Sequence, residues 1–114
     1  MSGFSNDTVP IGRLRHRVTL QQPVDTDDGA GGTTRAWADV VTLWGRVEPL
    51  AAGERVVADR IEAAADHRVI LRWRAGVDHT MRFVHGNRAF AIHGLTDLNE
   101  RHRFLVCDCE EISA

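Results

Sequence analysis

The sequence predicts a mainly β, α+β fold: a small antiparallel β-barrel or sandwich of about six strands with one helix and a long loop between the first two strands. Three observations carry this. Most of the chain alternates apolar and polar residues with a period of two, the pattern of strands that bury one face. One stretch, 51–67, changes to a helical period. The turns between the last four strands are short, which suits antiparallel neighbours rather than crossovers.

Residues 1–12 read as a flexible arm, punctuated by Gly, Asn, Asp and Pro, ahead of a single domain at 13–114. RLRHRVTLQQ (13–22) alternates, with Leu14, His16, Val18 and Leu20 on one face and Arg13, Arg15, Arg17 and Thr19 on the other. A polar loop follows at 23–34. RAWADVVTLWGRVEPL (35–50) reads as a long strand ending at Pro49, with Gly45 marking a bulge or bend. In 51–67, Leu50, Val57, Ile61 and Ala64 share one helical face, while Glu54, Arg55, Asp59, Arg60 and Glu62 are polar.

HRVILRWRA (67–75) is the third strand, with Val69, Leu71 and Trp73 on one face and Ile70 the apolar exception among the arginines of the other. TMRFVH (80–85) is short and ends at the Gly86-Asn87 turn signal. RAFAIHGLTDL (88–98) places Phe90 and Ile92 in phase, and RFLVCDCEEI (103–112) closes the fold.

At 114 residues the chain has room for one domain and a real core. Its composition is 43% hydrophobic and 26% charged, which excludes wholesale disorder. Net charge is −2, against the basic excess of a general nucleic-acid binder. All fourteen basic residues are Arg, as a GC-rich genome would produce and as a protein interface would use. The opening MSGFSNDTVP lacks the basic start and apolar run of an export signal, and no stretch matches a membrane span. With two cysteines, Cys107 and Cys109, a reducing cytoplasm is the expected setting.

A search for chemistry finds no constellation. GAGG lies between two strands, whereas a phosphate cradle needs a strand before it and a helix after it. Cys107-x-Cys109 lacks the usual zinc spacing, and the six histidines form no i, i+4 pair, so no metal and no cofactor is expected. The three serines sit in the tails, where nothing could preorganise a nucleophile. No catalytic residue is assigned, and the chain reads as a non-enzyme. Arg13, Arg15 and Arg17, with Arg68, Arg72 and Arg74, could grip phosphates. Trp37, Trp44 and Trp73 read instead as core or interface residues, with no stacking platform among them.

One resemblance runs through nearly the whole chain, from Gly12 to Glu111. The ordered set GRLRHRVTLQQP, an Asp/Gly-rich loop, LWGRVEPL, GERV opening a helix, HRVILRWRAGVDHTMRF and FAIHGLTDLNERHRFLVCDCEE resembles the phage head–tail joining proteins. These head-closure or stopper proteins occur in siphophages, prophages and gene transfer agents. Leu14-Arg15-His16-Arg17-Val18, Trp44, Glu48-Pro49, Glu54, and Arg72 followed by an aromatic match that family. Trp73 and Phe90 stand where it often has Tyr.

The resemblance implies the barrel form of the fold, and a structural neck protein without enzymatic activity. It implies a homo-oligomeric ring, six copies favoured over twelve, between the portal adaptor and the tail or tail-terminator protein. The ring closes the DNA-filled head, docks the tail and lets DNA through its channel without sequence specificity. It implies location in the neck of a virion or phage-like particle, assembled in the bacterial cytoplasm and without membrane contact.

On that footing the loop Asp25, Thr26, Asp27, Asp28, Gly29, Ala30, Gly31 and Gly32 is a candidate channel gate. Repeated around a ring, its Asp residues would form a negative collar; the competing reading is a surface hairpin with no gating role. Arg13, Arg15 and Arg17 are candidate interface residues for Glu54, Asp59 and Glu62, across a subunit boundary or within one chain. Two alternatives stand beside the stopper: a tail terminator or other neck ring component, and a small nucleic-acid-binding β-barrel. The last requires salt-dependent binding by the isolated chain.

Overall fold

Six strands close on themselves in the order β1-β2-β3-β6-β5-β4, every pair antiparallel. They are β1 (His16–Asp27), β2 (Thr33–Pro49), β3 (His67–Arg72), β4 (Arg82–His85), β5 (Arg88–Asp97) and β6 (Phe104–Ile112). The computed structural model describes residues 14–50 and 65–112. The expected arm at 1–12 and most of the expected helix lie outside the described residues. At that helix's expected end, Ala65 and Asp66 are irregular and His67 already begins β3.

Period-two alternation sends one set of side chains inward. Val18 and Leu20 of β1, Val69 and Leu71 of β3, Phe83 of β4, Phe90 and Ile92 of β5, and Leu105, Cys107 and Cys109 of β6 fill the barrel. Each fully buried side chain of this size contributes roughly 1.5–3 kcal/mol of hydrophobic free energy. Phe83 faces Phe90 across β4–β5 and Leu20 across β1–β4, so the two largest buried rings sit at the seam that closes the barrel.

Ile70, the apolar exception on the arginine face of β3, is fully buried outside the barrel, against Leu14, Phe104 and Val106. Leu14 belongs to this outer cluster and not to the inner row with Val18 and Leu20. The ladder of β1 starts only at His16, so Leu14 is free to turn across the sheet.

Gly45 marks no bulge. It pairs in register with both His16 and Leu71, and a Cβ there would lie 3.0 Å from the Ile70 carbonyl and 3.3 Å from a Val18 methyl. The position is glycine because the barrel wall closes over it. Register shifts occur instead between Leu20 and Gln21, where β2 carries the extra residue Val40, and between Ile92 and Gly94.

The excursion between β2 and β3 is closed at its base by backbone bonds. Leu50 N–H donates to the Asp66 carbonyl at 3.0 Å, and Asp66 N–H donates to that of Cys109 at 2.9 Å.

Candidate functional site

The segment expected as a loop at 23–34 is mostly a β-ribbon. β1 and β2 stay paired from His16–Gly45 out to Asp27–Thr33, leaving only residues 28–32 to turn. Asp25, Thr26 and Asp27 therefore lie on β1, and Asp28, Gly29, Ala30, Gly31 and Gly32 form the tip. The physical reason is that two strands already in register continue to satisfy each other's backbone groups for as long as a tight turn can join them. Here the turn is built by its own side chains. Asp27 Oδ1 accepts from Gly29 N–H at 2.9 Å, and Asp28 Oδ1 accepts from Ala30 N–H at 2.8 Å and Gly32 N–H at 3.1 Å. Gly29 and Gly31 hold φ of +80° and +85°, which favours glycine.

β4 pairs with β1 only over Thr19–Gln21, and β3 pairs with β2 only over Gly45–Pro49. Beyond those points, among the described strands, β1 and β2 pair only with each other. The ribbon from Gln22 to Asp27 thus extends past the barrel wall by roughly 20 Å, at about 3.3 Å per residue.

Its two faces differ. Gln22, Val24, Thr26, Thr34, Ala36 and Ala38 make one face, uncharged throughout. The other carries the charges. Arg35 Nε and Nη2 donate to the two Asp25 oxygens at 2.8 and 3.2 Å, and this bond holds the Asp25 carboxyl below its ordinary range. Nearer the barrel, Gln21 Nε2 donates to Asp39 Oδ1 and Arg82 Nε donates to Gln21 Oε1, both at 2.8 Å. The Arg82 guanidinium lies 4.3 Å from the Trp37 ring centroid, so the ribbon is moored to β4 at its root.

Of the expected interface residues, Arg15 and Arg17 are exposed, and Arg17 lies on the outer face of β1. Arg13, Glu54, Asp59 and Glu62 lie outside the described residues. What sequence reasoning missed is the neighbourhood of Trp44. Its indole is opposite Arg17, whose guanidinium carbon lies 4.8 Å from the ring centroid. A cleft of about 610 Å³ beside it is lined by Leu14, Arg15, Leu43, Trp44 and Arg72.

The ends of the barrel carry polar networks. His16 Nδ1 accepts from Val47 N–H at 3.0 Å, which places its proton on Nε2; its ring meets His85 edge-on at 5.0 Å. Burial and then His85 push the His16 pKa down. Elsewhere, Arg88 binds both Glu111 oxygens, at 2.8 and 3.1 Å, and His67 Nδ1 bonds Asp66 Oδ1 at 2.7 Å. The Cys107 and Cys109 thiols point into the core, where burial raises both pKa values. Among the described residues no three His, Cys, Asp or Glu side chains converge as a metal would need, and no helix is long and apolar enough to cross a membrane.

A closed antiparallel barrel with a projecting, moored ribbon defines a small β-barrel protein that presents an arm. Residues 9–112 match the family of phage head completion proteins, and the chain belongs to that family. The role that goes with membership is structural, at the head–tail neck of the phage particle. The fold is similar to the solution structure of protein SF1141 from Shigella flexneri 2a, at TM-score 0.73 and 29% identity over 90% of this chain and 96% of that one. It is also similar to a chain in the virion of a native gene transfer agent particle, at TM-score 0.63 and 22% identity over 88% and 96% of the two chains. No curated protein matches the sequence.

Proposed function

We propose that the protein forms a ring in the neck, between the portal adaptor and the tail, that closes the filled head and gives the tail a docking surface. Family membership supplies the setting. The observation that carries the reading is the β1–β2 ribbon, which is moored to β4 at its root, projects past the barrel wall and ends in a turn with two carboxylates. In a closed ring every copy of such an arm is placed equivalently, and arms that point to the axis narrow the channel.

The charge of the arm differs from the collar expected of three free carboxylates. Asp25 is neutralised by Arg35, so each copy presents Asp27 and Asp28, both already accepting backbone hydrogen bonds. The gate then acts chiefly by occupying the channel, with a smaller electrostatic share.

Replacing Val24–Ala36 by Asn-Gly shortens the arm while keeping the Pro23–Trp37 pair and the Trp37–Arg82 contact. The expected result is tailed or untailed heads that lose nuclease-protected DNA while the variant is still incorporated. Normal DNA retention by particles carrying the short arm would contradict the gating role.

A further inference from the structure

Trp44 stands on the outer face of β2, 54% exposed, the most open of the large apolar side chains described. Scattered exposed apolar residues are ordinary, but this indole borders a cleft lined by the apolar Leu14 and Leu43 and the cationic Arg15 and Arg72. Arg17 stacks on the indole from β1. Arg72 makes no ion pair among the described residues. Among the described residues, the carboxylates of the adjoining outer surface at Glu48 and Asp108 are already paired, with Arg46 at 2.8 Å and Arg68 at 3.4 Å.

We propose that this cleft is the docking site for a short acidic segment of a different protein chain, one that carries a bulky apolar side chain beside its carboxylates. The apolar side chain fills the cleft over Leu14 against Trp44. The carboxylates meet Arg17 and Arg72, whose planar forks suit two-point contact. Trp and Arg together are the residue types that dominate binding energy at protein interfaces. The complementary charge argues for an acidic occupant.

Among the described residues a second copy of this chain fits less well, and a cross-link to its Asp59-Arg60-Ile61-Glu62 stretch is the outcome that would assign the cleft to a contact between copies instead. Its described carboxylates at Asp25, Glu48, Asp108 and Glu111 are paired at home. Its acidic tip, Asp27-Asp28, lies between Thr26 and Gly29, with no large apolar residue within two positions of either carboxylate. The inference rests on reading the protein as a neck component surrounded by other proteins.

The test places the photo-cross-linker p-benzoylphenylalanine at position 44, in place of Trp44, in the full chain of complemented particles, with mass spectrometry of the cross-linked peptides. The expected product joins position 44 to a segment of another particle protein with Asp or Glu within two residues of a large apolar side chain. Adding Arg72→Glu, in a variant with an unchanged melting temperature, is expected to lower the yield by about tenfold. Cross-links to a second copy, to DNA or to a segment without carboxylates would overturn the proposal. So would no cross-link in particles that contain the protein. Particles from which the protein is absent would instead overturn the neck reading itself.

Discussion

Arg35 reaches across the β1–β2 arm to Asp25 and binds both of its carboxylate oxygens, at 2.8 and 3.2 Å. The residue that sequence reasoning places as a bare charge in a loop is thus a cross-strand tie in a ribbon. Both side chains are about half exposed, at 56% and 49%, so water and salt screen the pair. Asp25→Ala should therefore leave the melting temperature of the whole domain nearly unchanged. It should speed amide exchange at Val24, Thr26, Thr34 and Ala36.

The sign of the acid response follows from the same pair. Arg35 lowers the Asp25 carboxyl below 3.8 in the folded chain. The tie is then fully present above pH 3.8 and is lost as pH falls through the lower folded value. Protection factors of the arm amides, corrected for the intrinsic pH dependence of exchange and measured between pH 6 and pH 3, should stay flat until below the ordinary carboxylate range.

Gly45→Ala should be costly although the change is one methyl. The added Cβ would sit 3.0 Å from the Ile70 carbonyl, a backbone atom that cannot swing away, and 3.3 Å from Val18. Overpacking of this kind costs about 1–3 kcal/mol. Urea denaturation of the purified variant checks it.

His16 gives the barrel a pH dependence at its end. Its Nδ1 must stay unprotonated to accept from Val47 N–H, and burial beside His85 pushes its pKa below 6.5. The unfolded chain therefore binds more protons at this site, and stability is present above pH 6.5 and declines as pH falls from 6.5 towards the folded value. The clean comparison is wild type against His16→Gln in thermal melts from pH 8 to pH 5. The variant should lose less stability over that range than wild type does.

Stability and docking should separate at Phe83 and Trp44. Phe83 is fully buried at the closing seam, and Phe83→Ala should cost about 3–5 kcal/mol. Trp44→Ala removes a half-exposed indole and its contact with Arg17, and should change stability by no more than about 0.5–1 kcal/mol. Chemical denaturation of the two variants side by side measures the contrast.

The strands were legible because their inward rows are unbroken: Val18 and Leu20, Val69 and Leu71, Phe90 and Ile92 each fall in phase. The short turns marked antiparallel neighbours but fit a barrel and a sandwich equally, and closure into a barrel was legible only through the family resemblance. The arm was not, because Asp25, Thr26, Asp27 and Thr33 are poor advertisements for a strand. Their pairing comes from the register that holds from Gln21–Asp39 outward, past the bulge at Val40, and from a turn that Asp27 and Asp28 cap themselves. The cleft was hidden for a different reason. Trp44 and Arg72 are 28 positions apart and meet only because Gly45 pairs with Leu71 across an excursion that the periodicity of either strand does not reveal.

The most direct test of the neck role is electron microscopy of particles from cells lacking this gene, beside the complemented strain. The account predicts free tails and separate, DNA-leaking heads in the deletion, restored to joined particles by complementation. Intact, DNA-filled, tailed particles without the protein would contradict it.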